Sequence, residues 1–389
     1  MMEPTTILLL AVLALALVFG AAAQFSRVCV PGGLGDWMFR GEHGRLAAYF
    51  IAIGVAVIGT GLLQALAGID LNDTRPTYRS PEFAWGRYAI GGFLFGVGMV
   101  LARGCPVRNL VKLGQGNLQS LPVLLVMALT AYAMTRTSLY ADWFLPWVGS
   151  LSLNLTQFGV PRQDLASLFG GGADLALVLA LVVGVAFLTL SARSLARSTA
   201  HRGTIWLGGG LIGATVAAAY WLTGGPLGQK AMEAAEMMDT PPEGLGTQSF
   251  TFAAPLGDVV HYLSHPAATS AITFGVVAVA GVLLGALLSA LARREFAMQR
   301  FGAPREWART LTGAVLVGVG SVLAMGCTVG HGLSGIAVLA LGSFVGLAAI
   351  LAGAWSALKV EALLSERAMV GGGCESSVPA RDCQALENG

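Results

Sequence analysis

Cys105 stands in the run Ala102, Arg103, Gly104, Cys105, Pro106, and Cys327 in the run Ala324, Met325, Gly326, Cys327, Thr328. The runs are 222 residues apart, and at that offset residues 85–107 lie on 307–329 without a gap. Trp85/Trp307, Arg87/Arg309, Gly91/Gly313, Gly96/Gly318, Gly98/Gly320 and Gly104/Gly326 are identical pairs. This is an internal duplication whose best-matched residues converge on a thiol. A cysteine at a helix start faces backbone N–H groups without helical partners, a setting that attracts anions and favours the thiolate. Gly104 and Gly326 remove bulk beside each sulfur, so a ligand or a facing backbone can come close. Arg103, Arg108 and His331 are near in sequence and would favour an anion. The plainer alternative is a buried, inert cysteine among helix-packing glycines. Its repetition at corresponding positions argues against that.

A third thiol, Cys29, follows the first apolar run, and Pro31, Gly32 and Gly33 after it suggest a re-entrant break. Irregular backbone at membrane depth is tolerated only when buried in protein or lining a cavity. At the same offset Cys29 falls on Thr251, so the duplication carries three thiols rather than four. Asp36 and Asp258 also correspond, and are expected to cap helices or to pair with Arg40 or other basic groups. His261 and His265 do not make a metal site, and no HExxH, P-loop or paired CxxC motif is present. Neither an enzyme nor a bound cofactor is expected.

The elements that must hold these residues follow from composition. Of 389 residues 55% are hydrophobic and 11% charged, against about 25% charged in soluble domains. The chain is read as an all-α integral membrane protein. A net charge of +2 gives no case for nucleic acid, and five cysteines without regular spacing do not make a disulfide framework. Apolar runs near 6–23, 46–68, 86–103, 118–135, 174–191, 204–222, 267–291, 310–326 and 334–357 predict nine spans. The first resembles a signal peptide but lacks a basic leader, and is read as a retained helix. Residues 1–360 form one transmembrane domain: repeat one about 6–136, a linker span 174–191, and repeat two about 204–358. The polar tail 361–389, with Cys374 and Cys383, is expected to be disordered.

Basic loops stay in the cytoplasm. Loop 192–203 holds Arg193, Arg197 and Arg202; loop 292–309 holds Arg293, Arg294, Arg300, Arg305 and Arg309 against Glu295 and Glu306. Loop 223–265 is acidic, with Glu233, Glu236, Asp239, Glu243 and Asp258 against Lys230. The N-terminus is therefore predicted outside and the C-terminus inside. The five-span offset between repeats makes them inverted, a transporter plan with its binding site near the midplane.

At these residues the chain resembles the YeeE/YedE family of bacterial inner-membrane proteins, the thiosulfate transporters. The likeness rests on Ser26–Gly33, on Ala102–Cys105, on Ala324–Gly335 and on Thr247–Asp258, and it extends over roughly 20–360. It implies uptake of thiosulfate through a nine-span inverted repeat with short non-spanning helices. It also implies three thiols, Cys29, Cys105 and Cys327, that hydrogen-bond the ion in turn. A cytoplasmic TusA-like sulfur carrier is a possible partner. Thiols that hand an anion onward as weak donors must stay protonated. The run Pro106, Val107, Arg108 followed by Gly114, Gln115, Gly116 and Asn117 is more like a branch linked to selenium compounds, so a selenium oxyanion is an alternative substrate. A membrane thiol oxidoreductase or sulfurtransferase is the rival from another class.

Overall fold

In lipid only a helix satisfies its own backbone groups, and each apolar run becomes one. In this computed structural model the first half is α1 (Pro4–Ser26), α2 (Val30–Arg40), α3 (Gly44–Ala67), α4 (Trp85–Leu101), α5 (Pro106–Gly114) and α6 (Ser120–Arg136). A connection with the short helices α7 (Leu139–Trp143), α8 (Leu145–Val148) and α9 (Leu165–Leu168) leads into α10 (Ala173–Ala196). The second half is α11 (Arg202–Gly224), α12 (Pro226–Glu236), α13 (Ala254–Ser264), α14 (Phe274–Ala292) and α15 (Pro304–Leu323). A π-helical turn (Gly330–Gly335) and α16 (Leu341–Gly371) complete it. The structure describes residues 3–196, 201–238, 241–299 and 304–371, with the backbone only at 269, 304–306 and 366–371. Arg197, Asp239, Arg300, Cys374 and Cys383, and the side chains of Arg305 and Glu306, lie outside the described residues.

Among the described residues seven helical stretches are long and apolar enough to cross a membrane, while Ser120–Arg136 and Trp307–Leu323 are shorter apolar helices. The protein is a multi-pass, all-α membrane protein. The helices depart from the sequence reading in three places, and in the first α14 begins only at Phe274 although its apolar run starts near 267. Residues 334–340 lie in and just after the π-helical turn, and α16 begins only at Leu341. The 223–265 stretch carries α12 and α13. Two small ladders tie the connections down. β1 (Thr74–Arg75) pairs in parallel with β4 (Thr247–Gln248), and β2 (Glu82–Phe83) pairs antiparallel with β3 (Leu153–Asn154).

The matched helices α4 and α15 pack directly against each other. A Cβ on Gly91 would run into the backbone N of Ala324, and one on Gly313 into the backbone N of Ala102. Gly98 meets Val317 and Gly313, as Gly320 meets Phe95 and Gly91. Each contact has its counterpart 222 residues away, and the start of one helix meets the end of the other. The matched helices therefore run antiparallel about a local two-fold. Small residues are what allow backbones to approach this closely in a membrane. The matched arginines differ: Arg87 donates to the Leu323 carbonyl (3.1 Å) at the end of α15, whereas Arg309 pairs with Glu361.

Candidate functional site

The three thiols sit in the same local device. Two residues before each is a non-glycine residue in the left-handed region: Arg27 (φ 54°), Arg103 (φ 56°) and Met325 (φ 60°). Such a residue ends a helix by reversing its hand, at a cost of about 1–2 kcal/mol when it is not glycine. The cysteine then opens the next helical segment. Cys29 Sγ accepts from the Gly32 N–H and Cys327 Sγ from the Gly330 N–H, both at 3.4 Å. Cys105 caps α5 in the same place, but its side chain makes no such bond. Pro31 and Pro106 lie in first turns, where a missing N–H is harmless.

The break at Cys29 differs from the expected one. Pro31, Gly32 and Gly33 belong to α2, and the reversal is at Arg27. Gly33 instead lets α2 close on the backbone of Leu46.

All three thiols are free, with Cys29 8%, Cys105 5% and Cys327 0% exposed. The duplication brings the turns together. Cys105 lies beside the Thr328 side chain, next to Cys327. The Tyr49 hydroxyl donates to the Thr328 carbonyl (2.6 Å) and crosses directly over Gly332. Asn109, buried behind Cys105, donates to the carbonyls of Gly104 and Cys105 at 3.0 and 3.2 Å.

His331 is fully buried, and both ring nitrogens are engaged. Nε2 donates to the Ala324 carbonyl (2.7 Å), which leaves Nδ1 to accept from the Ser343 hydroxyl (3.2 Å). Its ring passes the faces of Gly326 and Gly346, where any Cβ would collide with it. The imidazole thus pins the Met325–Cys327 turn to α16. Gly326 serves the histidine's approach, whereas Gly104 takes a φ of 158° that glycine alone tolerates well.

Cavities open at both ends of the α4–α15 pair. Beyond the end of α4, one of about 450 Å³ is lined by Arg27, Arg45, Arg108 and Lys112 with Glu295 as its acid. Arg27 lies 3.8 Å from Glu295 and Arg45 lies 3.3 Å from Asp36, while Arg108 keeps a buried Nη1 with no partner. Lys112 donates to the Arg103 carbonyl. Glu295 lies beyond the end of α14. Burial is the largest influence on its carboxyl, but Gln24 and Arg293 outweigh it and hold it below the usual carboxylate range. Beyond the start of α4, a cavity of about 590 Å³ is lined by Arg75, Arg87, Thr251, Met325 and Gly326, among others.

The corresponding acids have structural partners: Asp36 pairs with Arg40 and Arg45, and Asp258 with Arg136, each at 3.3 Å. Among the described residues no group of His, Cys, Asp and Glu could hold a metal ion.

Four buried tyrosines, Tyr49, Tyr78, Tyr88 and Tyr220, surround the π-helical turn, and the sequence reading had named none of them. Buried Arg79, which donates to the Val338 carbonyl (2.9 Å), was also missed. A single tyrosine inside each of the apolar runs 46–68, 86–103 and 204–222 was the available signal for Tyr49, Tyr88 and Tyr220; Tyr78 comes from a loop.

The model of the sulphur-transport family matches residues 25–356. The chain belongs to that family. It is 27% identical to the thiosulfate transporter TsuA of Escherichia coli K12, over 87% of this chain and 90% of that protein. It is likewise 27% identical to the thiosulfate transporter TsuA of Spirochaeta thermophila, over 87% of this chain and 94% of that one. The match to the sulphur-transport family begins just before Cys29 and extends beyond Cys327, so all three thiol breaks lie within it. These relatives are named as transporters, and this chain is a sulfur-compound transporter rather than an enzyme.

Proposed function

We propose that the protein imports thiosulfate, or a closely related sulfur anion, across the bacterial inner membrane by way of Cys327, Cys105 and Cys29 in turn. The observation that carries this reading is the row of three buried thiols in three like breaks, with a cavity at either end. In this reading the repeats are inverted, the basic mouth at Arg108 faces the cytoplasm with the C-terminus, and the N-terminus is periplasmic. Gly104 permits the turn before Cys105, Gly326 leaves room for His331 to position the Cys327 turn, and Arg108 draws the ion towards the inner mouth. A neutral S–H is a weak donor, and weak sites in series let an anion enter without trapping it.

Import of a dianion runs against an inside-negative potential, at about 2.3 kcal/mol per charge per 100 mV. Net uptake therefore needs removal of the ion inside or coupling to another gradient. A cytoplasmic TusA-like sulfur carrier at the basic mouth is the partner that removal calls for.

The test is growth of a thiosulfate-uptake-deficient bacterium on thiosulfate as sole sulfur source. Rescue by the wild type and not by Cys105→Ala or Cys327→Ala is expected. No rescue by a well-expressed wild type overturns the assignment. Residues Pro106 to Arg108 favour selenium oxyanions as the second reading, and selenite uptake in the same strain separates the two. Serine variants address the thiol-redox rival, since a hydroxyl forms no disulfide: partial uptake by Cys327→Ser speaks for hydrogen bonding.

A further inference from the structure

Three of the four tyrosine hydroxyls around the π-helical turn have partners. Tyr49 donates to Thr328, Tyr220 to the Ser334 carbonyl (3.0 Å), and Tyr88 meets Gln163. The hydroxyl of Tyr78 has none, although the residue is only 5% exposed. A buried hydroxyl without a partner costs about 1–3 kcal/mol, and each such group in a native structure calls for an explanation. Its surroundings supply one. A Cβ on Gly330 would stand 3.3 Å from the Tyr78 hydroxyl and 2.8 Å from Thr251 Oγ1, so both oxygens face the same bare glycine. The N–H of that glycine is the one held by Cys327 Sγ. Thr251 in turn lines the 590 Å³ cavity together with Met325 and Gly326. It is also the residue that the 222-residue offset sets opposite Cys29.

We propose that the hydroxyls of Tyr78 and Thr251 form an oxyanion subsite over Gly330, between the outer cavity and Cys327. It takes the place of the missing fourth thiol. Hydroxyls are harder and stronger donors than a thiol, so the pair receives the oxygens of the anion and leaves its terminal sulfur free to meet Cys327. Gly330 is bare because a side chain there would fill the subsite. The proposal rests on the thiosulfate reading above.

The test is uptake of radiolabelled thiosulfate by proteoliposomes, with protein quantity and monodispersity matched between variants. Tyr78→Phe and Thr251→Val should each raise the half-saturation concentration about tenfold, as expected for loss of one hydrogen bond to a charged group. The rate at saturating thiosulfate should stay near that of the wild type, the signature of lost binding common to ground and transition states. Thr251→Ser and Thr251→Cys, which keep a donor, should shift it less than Thr251→Val. Wild-type half-saturation in both Tyr78→Phe and Thr251→Val, with a wild type that transports, overturns the subsite and leaves the thiosulfate reading intact. A wild type that takes up no thiosulfate overturns both.

Discussion

At the scale of residues, each thiol is held by a neighbour in an unfavourable backbone conformation. Arg27, Arg103 and Met325 are left-handed without being glycine, and such strain persists only where the surroundings over-determine it. Met325→Gly should therefore keep or raise the melting temperature in detergent, whereas the β-branched Met325→Val should lower it; a thermal-shift series checks the order. His331 offers a second test. With both nitrogens bonded inside the protein, His331→Ala should cost about 3–5 kcal/mol through the cavity and the orphaned partners. Unfolding by denaturant should register that loss even without substrate. A histidine acting only on the anion would leave the empty protein's stability unchanged. Cys105 and Cys327 stood out in the sequence because the duplication repeats them, and Cys29 because Pro31, Gly32 and Gly33 follow it. The left-handed turn was not, because Arg and Met at such positions carry no signature.

At the scale of elements, the α4–α15 contact makes a reciprocal prediction. Gly91 faces the backbone at Ala324 as Gly313 faces it at Ala102. Gly91→Leu and Gly313→Leu should therefore lower the melting temperature by similar amounts, and the double variant by less than their sum if one separation of the helices relieves both. The apolar runs gave most of the long helices closely, since length and hydropathy decide them, but α14 and α16 begin well after the start of their runs. They did not give α12, α13 or the short pieces α7 to α9. Those elements are too short and too polar to stand out, and tertiary contacts hold them: α13, for example, is tied to α6 through Asp258 and Arg136. Residues 334–340 misled for a related reason. They are apolar because they are buried inside protein, and only α16 beyond them has a lipid-length run.

At the scale of the whole molecule, the proposed orientation can be read directly. In right-side-out vesicles an impermeant maleimide added outside should label a cysteine introduced at Lys230 of a variant lacking the native thiols. It should spare one introduced at Arg193, and the reverse pattern would turn the protein over in the bilayer. The duplication made the matched helices α4 and α15 legible in the sequence, but not the way the turns after them meet: Tyr49, Thr328 and Cys105 come together from three distant segments. The seam between the halves has a kinetic consequence. At Gly91, Gly98, Gly313 and Gly320 the backbones of α4 and α15 come into direct contact, which leaves little slack for one helix to rock against the other. On the proposed route, passage of the ion would then need only side-chain and turn movements, which are fast and small. The uptake rate should rise gently on warming, with an activation enthalpy closer to that of an open pore than to that of a carrier that refolds its interface each cycle. An Arrhenius slope from the same proteoliposomes measures it.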